Sequence, residues 1–225
     1  MTTLRALGPV LVTGAAGFLG AAVVQRLRQL GHQVTASDAG LPDAPCDLTD
    51  FAQVDRVVRS GGFQTIFHCG AVSGPMVLAD QPLKIWQINA LGTAHVLEAA
   101  RLHGVGRVVV CSTCDVYGDQ TGEMDESTLP RPTSVYGASK VAAEAAMLGY
   151  VREHRLDAVA LRLSWIYGPG RRTPTTLENM IRAAISGQDI SVDAAPDDTT
   201  HYLYIEDAVH GLICAGLANT LAERV

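Results

Sequence analysis

A glycine-rich stretch near the start of the chain restricts the possible folds more than any other feature. The residues TGAAGFLG lie between the apolar run Val10–Val12 and a helical pattern that extends from Phe18 to Leu30. The spacing G-x-x-G-x-x-G differs slightly from the G-x-G-x-x-G of the commonest dinucleotide-binding loop. We expect Gly14 to permit a tight turn, Gly17 to let a pyrophosphate approach the backbone, and Gly20 to let the helix pack closely on the sheet. A strand before and a helix after this stretch predict a dinucleotide-binding loop.

Strand-like apolar runs then alternate with helical patterns as far as residue 163. Strands are predicted at 33–37, 65–67, 107–111 and 158–163, and helices from 51, at about 82–102 and at about 136–154. This alternation predicts right-handed crossovers and a parallel sheet with helices on both faces. The predicted fold class is therefore α/β, with a doubly wound parallel sheet.

Composition excludes several classes of function. The 225 residues are 48% hydrophobic and 18% charged, the formal net charge is −6, and no basic cluster offsets it, which argues against nucleic-acid or membrane-surface binding. The five scattered cysteines are odd in number, unlike a secreted disulfide framework, so we expect reduced thiols and a cytoplasmic protein. The uncharged run from Ala6 to Val24 resembles a secretory leader, but its glycines and Pro9 favour a buried strand and helix.

Asp38 ends the second predicted strand, in the sequence VTASD. A carboxylate at this position can accept hydrogen bonds from the adenosine ribose hydroxyls and would repel a 2′-phosphate. Ala39, Gly40 and Leu41 follow, so no arginine is available nearby to bind that phosphate. NAD is favoured over NADP, although a plain turn residue remains the alternative interpretation of Asp38.

Tyr136 and Lys140 begin a predicted helix in the sequence SVYGASK. A spacing of four residues places both side chains on the same helical face. The pKa of a phenol is ~10, and lowering it by ~3 units requires about 4 kcal/mol. We expect the ammonium of Lys140, together with a positively charged nicotinamide, to supply this stabilisation. Tyr136 could then remove a hydroxyl proton while hydride leaves the same carbon.

A set of motifs in order along the chain extends this prediction. The set consists of TGAAGFLG, Asp38, CDL at 46–48, HCGA at 68–71, Asn89, STCDVYG, YGASK and RLSWIYGPG. It resembles the extended short-chain dehydrogenase/reductase family, also called the NAD-dependent epimerase/dehydratase family, over roughly residues 10–218. The resemblance implies a Rossmann-like NAD-binding domain at 1–165 and a partial substrate-binding region at 166–225 that is either small or truncated. The last helix, at about 207–218, is expected to pack back on the first domain.

The resemblance also implies the cofactor site and the catalytic residues. The pyrophosphate would be lined by Gly14, Gly17, Phe18 and Leu19. The adenosine ribose would be held by Asp38, and the adenine would contact Asp47 and Leu48. Farther along the cofactor would lie Cys69, Gly70 and Ala71, with Asn89 behind the nicotinamide half. Thr113 matches the catalytic serine or threonine, Tyr136 the base, and Lys140 the residue that tunes that base and binds the nicotinamide ribose. Thr113 would donate a hydrogen bond to the substrate oxygen.

Other polar residues have less certain roles. The substrate candidates are Ser73, Cys114, Asp115, Arg171 and Arg172, of which the two arginines are expected to be exposed cations that either bind an anionic substrate or are simply solvated. His68 is predicted to be structural, and Trp165 and Tyr167 are predicted to pack rather than stack on a ligand. Cys111 and Cys114 have the spacing of a redox pair, but Cys111 belongs to a buried strand. A redox switch stays open as an alternative, and no metal site is expected.

Differences between this chain and the family motifs limit the reactions that we expect it to catalyse. In dehydratases of the family that this chain resembles, an acid–base pair, usually Asp-Glu, directly follows the catalytic threonine. This chain has Cys114-Asp115 at those two positions. Nucleotide-sugar enzymes of the family usually carry an asparagine just before the YGP segment and an arginine before a V-D motif near the end of the domain. At the first position this chain has SWI (164–166), and at the second it has TTH (199–201). We therefore expect an NAD-dependent dehydrogenase of a sugar, sugar acid or similar polyhydroxylated substrate. The alternatives are a nucleoside-diphosphate-sugar 4-epimerase and, in another class, a non-catalytic NAD-binding sensor.

The predicted helix GASKVAAEAAMLGY is rich in alanine and glycine. Small side chains allow a second helix to approach closely, so this surface is expected to pack against more than its own sheet. The resemblance implies a homodimer formed through a four-helix bundle of this helix and the one ending near Leu102.

Overall fold

The centre of the protein is a five-stranded parallel sheet with the strand order β2-β1-β3-β4-β5. The structure is a computed structural model, and it describes residues 5–120, 122–191, 199–221 and 223–225. The strands are β1 (Val10–Thr13), β2 (Val34–Ser37), β3 (Thr65–His68), β4 (Arg107–Thr113) and β5 (Ala158–Leu163). The predicted parallel sheet is therefore confirmed.

Helices cover both faces of this sheet. The helices of the described residues are α1 (Phe18–Gln29), α2 (Phe51–Ser60), α3 (Pro82–Trp86), α4 (Gly92–Leu102), α5 (Val135–His154), α6 (Thr176–Ile185) and α7 (Ile205–Leu217), of which α6 has no buried residue and lies outside this packing. Side chains from α2, α4 and α5 form one core with Leu11 and Ile66, and those from α1 and α7 form the other with Val12 and Phe67. Because β1, β3 and β4 are buried on both faces, their sequences are continuous apolar runs rather than alternating patterns.

The region predicted as one long helix from Pro82 to Leu102 is interrupted. A π-helical turn at Gln87–Leu91 joins α3 to α4. Such turns admit an extra residue and are frequent at functional sites. Asn89 lies within this turn and is fully buried. The turn therefore places an amide side chain beside the start of α5, where it contacts Ser139.

The chain beyond β5 leaves the main sheet and returns to it. Strands β6 (Trp165–Tyr167) and β7 (Tyr202–Tyr204) form a separate two-stranded parallel sheet. Helix α7 follows β7 directly and starts at Ile205, two residues before the predicted start at Asp207. Its buried side chains, including Val209 and Leu212, join the core that α1 forms with the sheet. The last helix is thus part of the packing around the first domain.

Candidate active site

The glycine loop packs directly against Gly70, which lies two residues after the end of β3. Gly14 has φ +68°, and a Cβ atom there would lie 2.5 Å from the backbone of Gly70. A Cβ atom on Gly20 would lie 2.2 Å from the Gly14 carbonyl oxygen. Helix α1 starts after Gly17 with no side-chain cap and no acidic residue in its first turn. Its first N–H groups therefore suit an anion, and the loop forms a cradle that fits a pyrophosphate.

The predicted adenosine end lies beside this cradle. The Asp38 carboxylate accepts from the backbone N–H of Ala16 at 3.3 Å and of Gly40 at 3.4 Å, which fixes it next to the glycine loop. Asp47 instead accepts from the N–H and hydroxyl of Thr49, at 2.9 and 2.7 Å. The Leu48 side chain packs against the core next to Gly70. Asp38 keeps lone pairs for a ligand, because a carboxylate can accept about four hydrogen bonds.

A cavity runs from the cradle to the carboxyl ends of β4 and β5. Nine of the predicted cofactor and catalytic residues line it: Gly14, Gly17, Phe18, Leu19, Cys69, Ala71, Thr113, Tyr136 and Lys140. In open parallel sheets, ligands bind outside the carboxyl ends of the strands, where the strand order reverses. Here β1 lies between β2 and β3, so the reversal coincides with the cradle.

The three predicted catalytic residues are positioned by β4 and α5. Thr113 is the last residue of β4, and its Oγ1 accepts from the backbone N–H of Asp115 at 3.2 Å. Helix α5 begins after Ser134, which caps it by accepting from the Gly137 N–H at 3.0 Å. Tyr136 and Lys140 lie one turn apart near its start, and Tyr136 is only 8% exposed.

The pKa of the tyrosine is governed mainly by burial. Burial raises the pKa of Tyr136 to about 12, and the hydroxyl of Thr113 and the N–H of Gly74 oppose this rise, whereas the carboxylate of Asp115 adds to it. Lys140 is not among the groups that shift this pKa, so its expected tuning of Tyr136 together with a bound nicotinamide stays a prediction. Lys140 is itself buried, which lowers its own pKa, and its Nζ donates to the Cys111 carbonyl oxygen at 2.8 Å. Its ammonium thus binds β4 rather than the phenol.

His68 is structural, as predicted, and its neighbours define its protonation. Thr93 Oγ1 donates to the Asn89 carbonyl oxygen at 2.6 Å, so it accepts from His68 Nε2–H at 3.0 Å. His68 Nδ1 then accepts from Thr13 Oγ1 at 2.7 Å. Burial, together with the charge of Lys140, lowers the pKa of His68 to about 3. The neutral imidazole therefore links the end of β1 to the π-helical turn.

Asn89 acts through the protein rather than from the cavity wall. Its Oδ1 accepts from the N–H of Val72 at 2.8 Å, and its Nδ2 donates to the Val72 carbonyl at 3.2 Å and to Ser139 Oγ at 3.0 Å. Ser139 Oγ donates in turn to the Tyr136 carbonyl oxygen at 2.7 Å. Asn89 therefore holds the residues after β3 against the catalytic turn of α5, and its contribution to the site is indirect.

Most of the substrate candidates lie at the same cavity. Ser73, Cys114, Asp115 and Arg171 line it, and Arg172 lines the adjoining groove between α1 and α7. The expectation that Arg171 is exposed is wrong. Its side chain is half-buried, donates to the carbonyls of Ile166 and Thr173, and lies with its guanidinium carbon 5.9 Å from the centre of the Phe18 ring. Burial raises the pKa of Asp115 and lowers the pKa of Arg171.

Sequence reasoning missed part of the cavity wall. Met76, Leu163 and Ile166 line it, and so does Trp165, which was expected only to pack. Tyr167 does pack, with ring centres 6.1 Å from Tyr202 and 5.5 Å from Tyr204. One signal was available: Ile166 and Trp165 follow the predicted strand 158–163, and the residues after each strand of a parallel sheet lie at the edge where ligands bind.

A buried ion pair behind the catalytic residues was also missed. Arg162 Nη2 lies 2.8 Å from Glu144 Oε2, and Ser112 Oγ donates to Glu144 Oε1 at 2.5 Å. Arg162 Nη1 also donates to the hydroxyl of Tyr117 at 3.0 Å. Since Ser112 precedes Thr113 and Glu144 lies one turn after Lys140, the pair ties β4, β5 and α5 together beneath the cavity.

The described part of the chain carries neither of two other kinds of feature. No three His, Cys, Asp or Glu side chains of these residues are grouped to bind a metal ion. No helix among them combines the length and apolarity that crossing a bilayer requires. The cavity is therefore the feature to which the polar and titratable residues described above converge.

Comparison with characterised proteins places these features in a family. The 3-beta-hydroxysteroid dehydrogenase of Mycolicibacterium neoaurum is 31% identical over 95% of this chain and 62% of its own length. The UDP-glucose 4-epimerase of Mycolicibacterium smegmatis is also 31% identical, over 92% of this chain and 72% of its own length. The structure of MoeE5 in complex with UDP-glucose and NAD is 34% identical, with a TM-score of 0.81, over 93% of this chain and 72% of that one.

A family description covers nearly the whole chain. The sequence model of the NAD dependent epimerase/dehydratase family matches residues 10–222. This range includes the glycine cradle, the predicted catalytic residues of β4 and α5, and the two-stranded sheet. The resemblance seen in the motifs is thereby confirmed: the chain belongs to the NAD-dependent epimerase/dehydratase family, and its cofactor is NAD.

Proposed function

We propose that this chain transfers hydride between NAD and a carbinol carbon of a sugar, sugar acid or similar polyhydroxylated substrate, with Tyr136 as base. One observation carries the proposal. Tyr136 and Thr113 line the same cavity, whose other end is the glycine cradle. A base, a hydrogen-bond donor and a cofactor site therefore share one space.

Each residue of this arrangement has a defined task. Thr113 donates a hydrogen bond to the substrate oxygen, and Tyr136 accepts the hydroxyl proton of the substrate. Bound NAD supplies the hydride acceptor and, in its oxidised form, a positive charge that favours the phenolate. Lys140 fixes α5 to β4 through the Cys111 carbonyl and keeps a cation at the base of the cavity. Arg171 lines the substrate side and suits a carboxylate.

The division of labour along the chain follows from these positions. Residues 1–165 would bind NAD, with Asp38 accepting from the ribose hydroxyls and repelling a 2′-phosphate, and Asp47 and Leu48 bordering the adenine. Residues 166–225 would supply part of the substrate site, with Arg171 and Arg172 nearest the cavity and its adjoining groove.

The test is a turnover assay with a matched pair of variants. The purified protein is incubated with NAD and a panel of sugars, sugar acids and nucleotide sugars, and NADH absorbance is recorded. Tyr136→Phe should lower kcat by about 10²–10⁴-fold, as expected for loss of a general base, and leave NAD affinity nearly unchanged. Tyr150→Phe, on the same helix but more than three turns further along, should leave kcat nearly unchanged. Equal activity of Tyr136→Phe and wild type would refute the assigned base.

A nucleoside-diphosphate-sugar 4-epimerase is the second candidate. The similarity to a UDP-glucose 4-epimerase and to MoeE5, whose structure contains UDP-glucose, favours it. Trp165 disfavours it, because an indole in the cavity wall replaces the amide expected before YGP and offers a diphosphate one N–H donor at most. Conversion of a nucleotide sugar without net NADH formation would select the epimerase. NAD binding without turnover of any substrate would instead indicate a sensor.

We further propose a cytoplasmic homodimer assembled through α4 and α5 of each subunit. Apolar side chains on α3 and α4 support an interface there, since Leu83 is 69% exposed and Leu102 is 50% exposed. The described cysteines are all free thiols, which suits a reducing compartment. Light scattering at micromolar protein concentration should give twice the monomer mass of 23.8 kDa, and a monomer would contradict the assembly.

A further inference from the structure

Cys69 and Cys111 form a thiol pair in the wall of the cavity. Cys69 directly follows β3, and Cys111 lies in β4. The strand register pairs His68 with Val110, so the next residues on each strand are neighbours, and their sulfurs lie 3.6 Å apart. Adjacent strands are about 4.8 Å apart. This spacing is within the roughly 4.4–6.8 Å between Cα atoms that a disulfide bridges, so only a small movement separates the thiols from a bond.

The surroundings of the pair favour reaction at Cys111. Both residues line the cavity, so a small oxidant can reach them from solvent. The contact with Cys69 holds the pKa of Cys111 below its ordinary value, and the nearby ammonium of Lys140 acts in the same direction. The same contact raises the pKa of Cys69. Lys140 Nζ also donates to the Cys111 carbonyl oxygen at 2.8 Å, which places its ammonium beside Cys111, so Cys111 is the thiolate expected to attack first and Cys69 the thiol that resolves the product.

We propose that Cys69 and Cys111 are a peroxide-sensitive pair whose disulfide prevents NAD from binding. The Cys111 thiolate attacks one oxygen of hydrogen peroxide, the O–O bond breaks, and hydroxide leaves, which gives a sulfenic acid. The sulfur of Cys69 then attacks the sulfenic sulfur, the S–O bond breaks, and water leaves. Two thiols and one peroxide become one disulfide and two waters, and the two electrons come from the sulfur pair.

The disulfide would act on the cradle because Cys69 adjoins it. Gly70 follows Cys69 and is packed so tightly on the glycine loop that a Cβ at Gly14 would lie 2.5 Å from its backbone. Drawing Cys69 towards β4 therefore moves Gly70 away from Gly14. The Cys111 carbonyl also accepts from Lys140, so the same movement shifts the cation at the cavity base. This pair replaces the Cys111–Cys114 pair suggested by sequence spacing.

The experiment combines disulfide mapping with NAD binding, and neither readout depends on the proposed reaction. The purified protein is treated with hydrogen peroxide, free thiols are alkylated, and proteolytic peptides are analysed by mass spectrometry. We expect a linked Cys69–Cys111 peptide pair, and NAD affinity lowered by about tenfold or more, as measured by calorimetry. Dithiothreitol should restore the affinity, and NAD present during oxidation should slow the linkage.

Matched variants separate this pair from the alternatives. Cys111→Ser should form no linked pair and should keep its NAD affinity after peroxide treatment, whereas Cys114→Ser should behave like wild type. Three results would each overturn the proposal: a Cys111–Cys114 linkage in wild type, no linkage of Cys69 to Cys111 under any peroxide dose that oxidises other thiols, or a Cys69–Cys111 linkage with unchanged NAD affinity. Wild-type mapping decides the question even if Cys111→Ser does not fold.

Discussion

The two ends of the cavity are stabilised by different physical interactions. At the glycine cradle, space itself is the constraint, since side chains at Gly14 and Gly20 would collide with backbone atoms. At the catalytic end, bulky and titratable side chains are buried together, and Lys140 is held by its hydrogen bond to the Cys111 carbonyl oxygen. A single substitution at the first end should therefore act through sterics at any pH, whereas one at the second should act through charge and depend on pH.

The largest effect is expected from Gly14→Ala. The new side chain would need a positive φ and would lie 2.5 Å from the Gly70 backbone, so we expect a loss of about 2–5 kcal/mol in unfolding free energy. NAD affinity should fall by about a hundredfold, because Gly70 and the loop must separate. Urea unfolding and calorimetry measure the two quantities.

Gly31→Ala is the matched control for this variant. Gly31 also has a positive φ, +83°, but no atom lies within 4 Å of its Cβ position. It should lose only about 1–2 kcal/mol, the cost of the backbone conformation, with unchanged NAD affinity. Equal losses in the two variants would show that the close approach of Gly14 to Gly70 contributes nothing.

An intermediate effect is expected at His68, whose imidazole bonds Thr13 beside the cradle and Thr93 at the start of α4. Its pKa is lowered from 6.5 to about 3 by burial, so the unfolded chain takes up a proton below about pH 6.5 and the folded chain does not until about pH 3. This histidine therefore makes the protein less stable as pH falls through that window. At roughly 1.4 kcal/mol per pH unit, about 2 kcal/mol should be lost between pH 6.5 and pH 5.

His68→Gln should remove this part of the pH dependence. The quantity compared is the change in unfolding free energy between pH 6.5 and pH 5, which is independent of any loss common to both pH values. His210→Gln, at an exposed position of α7, should keep the wild-type slope. A slope in His68→Gln as steep as that of wild type would mean that the folded protein protonates His68 in this range.

The smallest effect is expected from Asp115→Asn at the catalytic end. The Asp115 carboxylate raises the pKa of Tyr136, so its removal should lower that pKa. Because oxidation of the substrate needs the phenolate, the acidic limb of the kcat/KM profile should move to lower pH. Asp119→Asn, at an exposed position outside the cavity wall, should leave the limb in place. A shift to higher pH in Asp115→Asn would contradict the assigned electrostatics.

The same contrast explains what could be predicted from the sequence. The cradle and the parallel sheet were predictable because glycine spacing and apolar runs are local patterns that backbone sterics create directly. The identities of Thr113, Tyr136 and Lys140 came from a family resemblance. Their electrostatics were not predictable, because the pKa of Tyr136 depends on burial and on Asp115, which only the folded chain brings together.

Other differences have equally specific causes. The π-helical turn at Gln87–Leu91 was missed because the pattern of apolar residues does not distinguish it from a regular helix. The exposure of Arg171 was misjudged, since its partners are backbone carbonyls of Ile166 and Thr173, which carry no side-chain signal. The proximity of Cys69 to Cys111 depends on strand register, and a register between strands cannot be derived from a spacing along the chain.

The small sheet of β6 and β7 has a consequence for how such a chain can diversify. Ile166 and Leu203 are paired neighbours, so β6 and β7 bring the two ends of the intervening segment to one place. A segment whose two ends are paired in this way can be lengthened, shortened or exchanged without moving β4 and α5. Substrate specificity can therefore change within such a family through the segment between β6 and β7, while the residues that transfer hydride keep their positions.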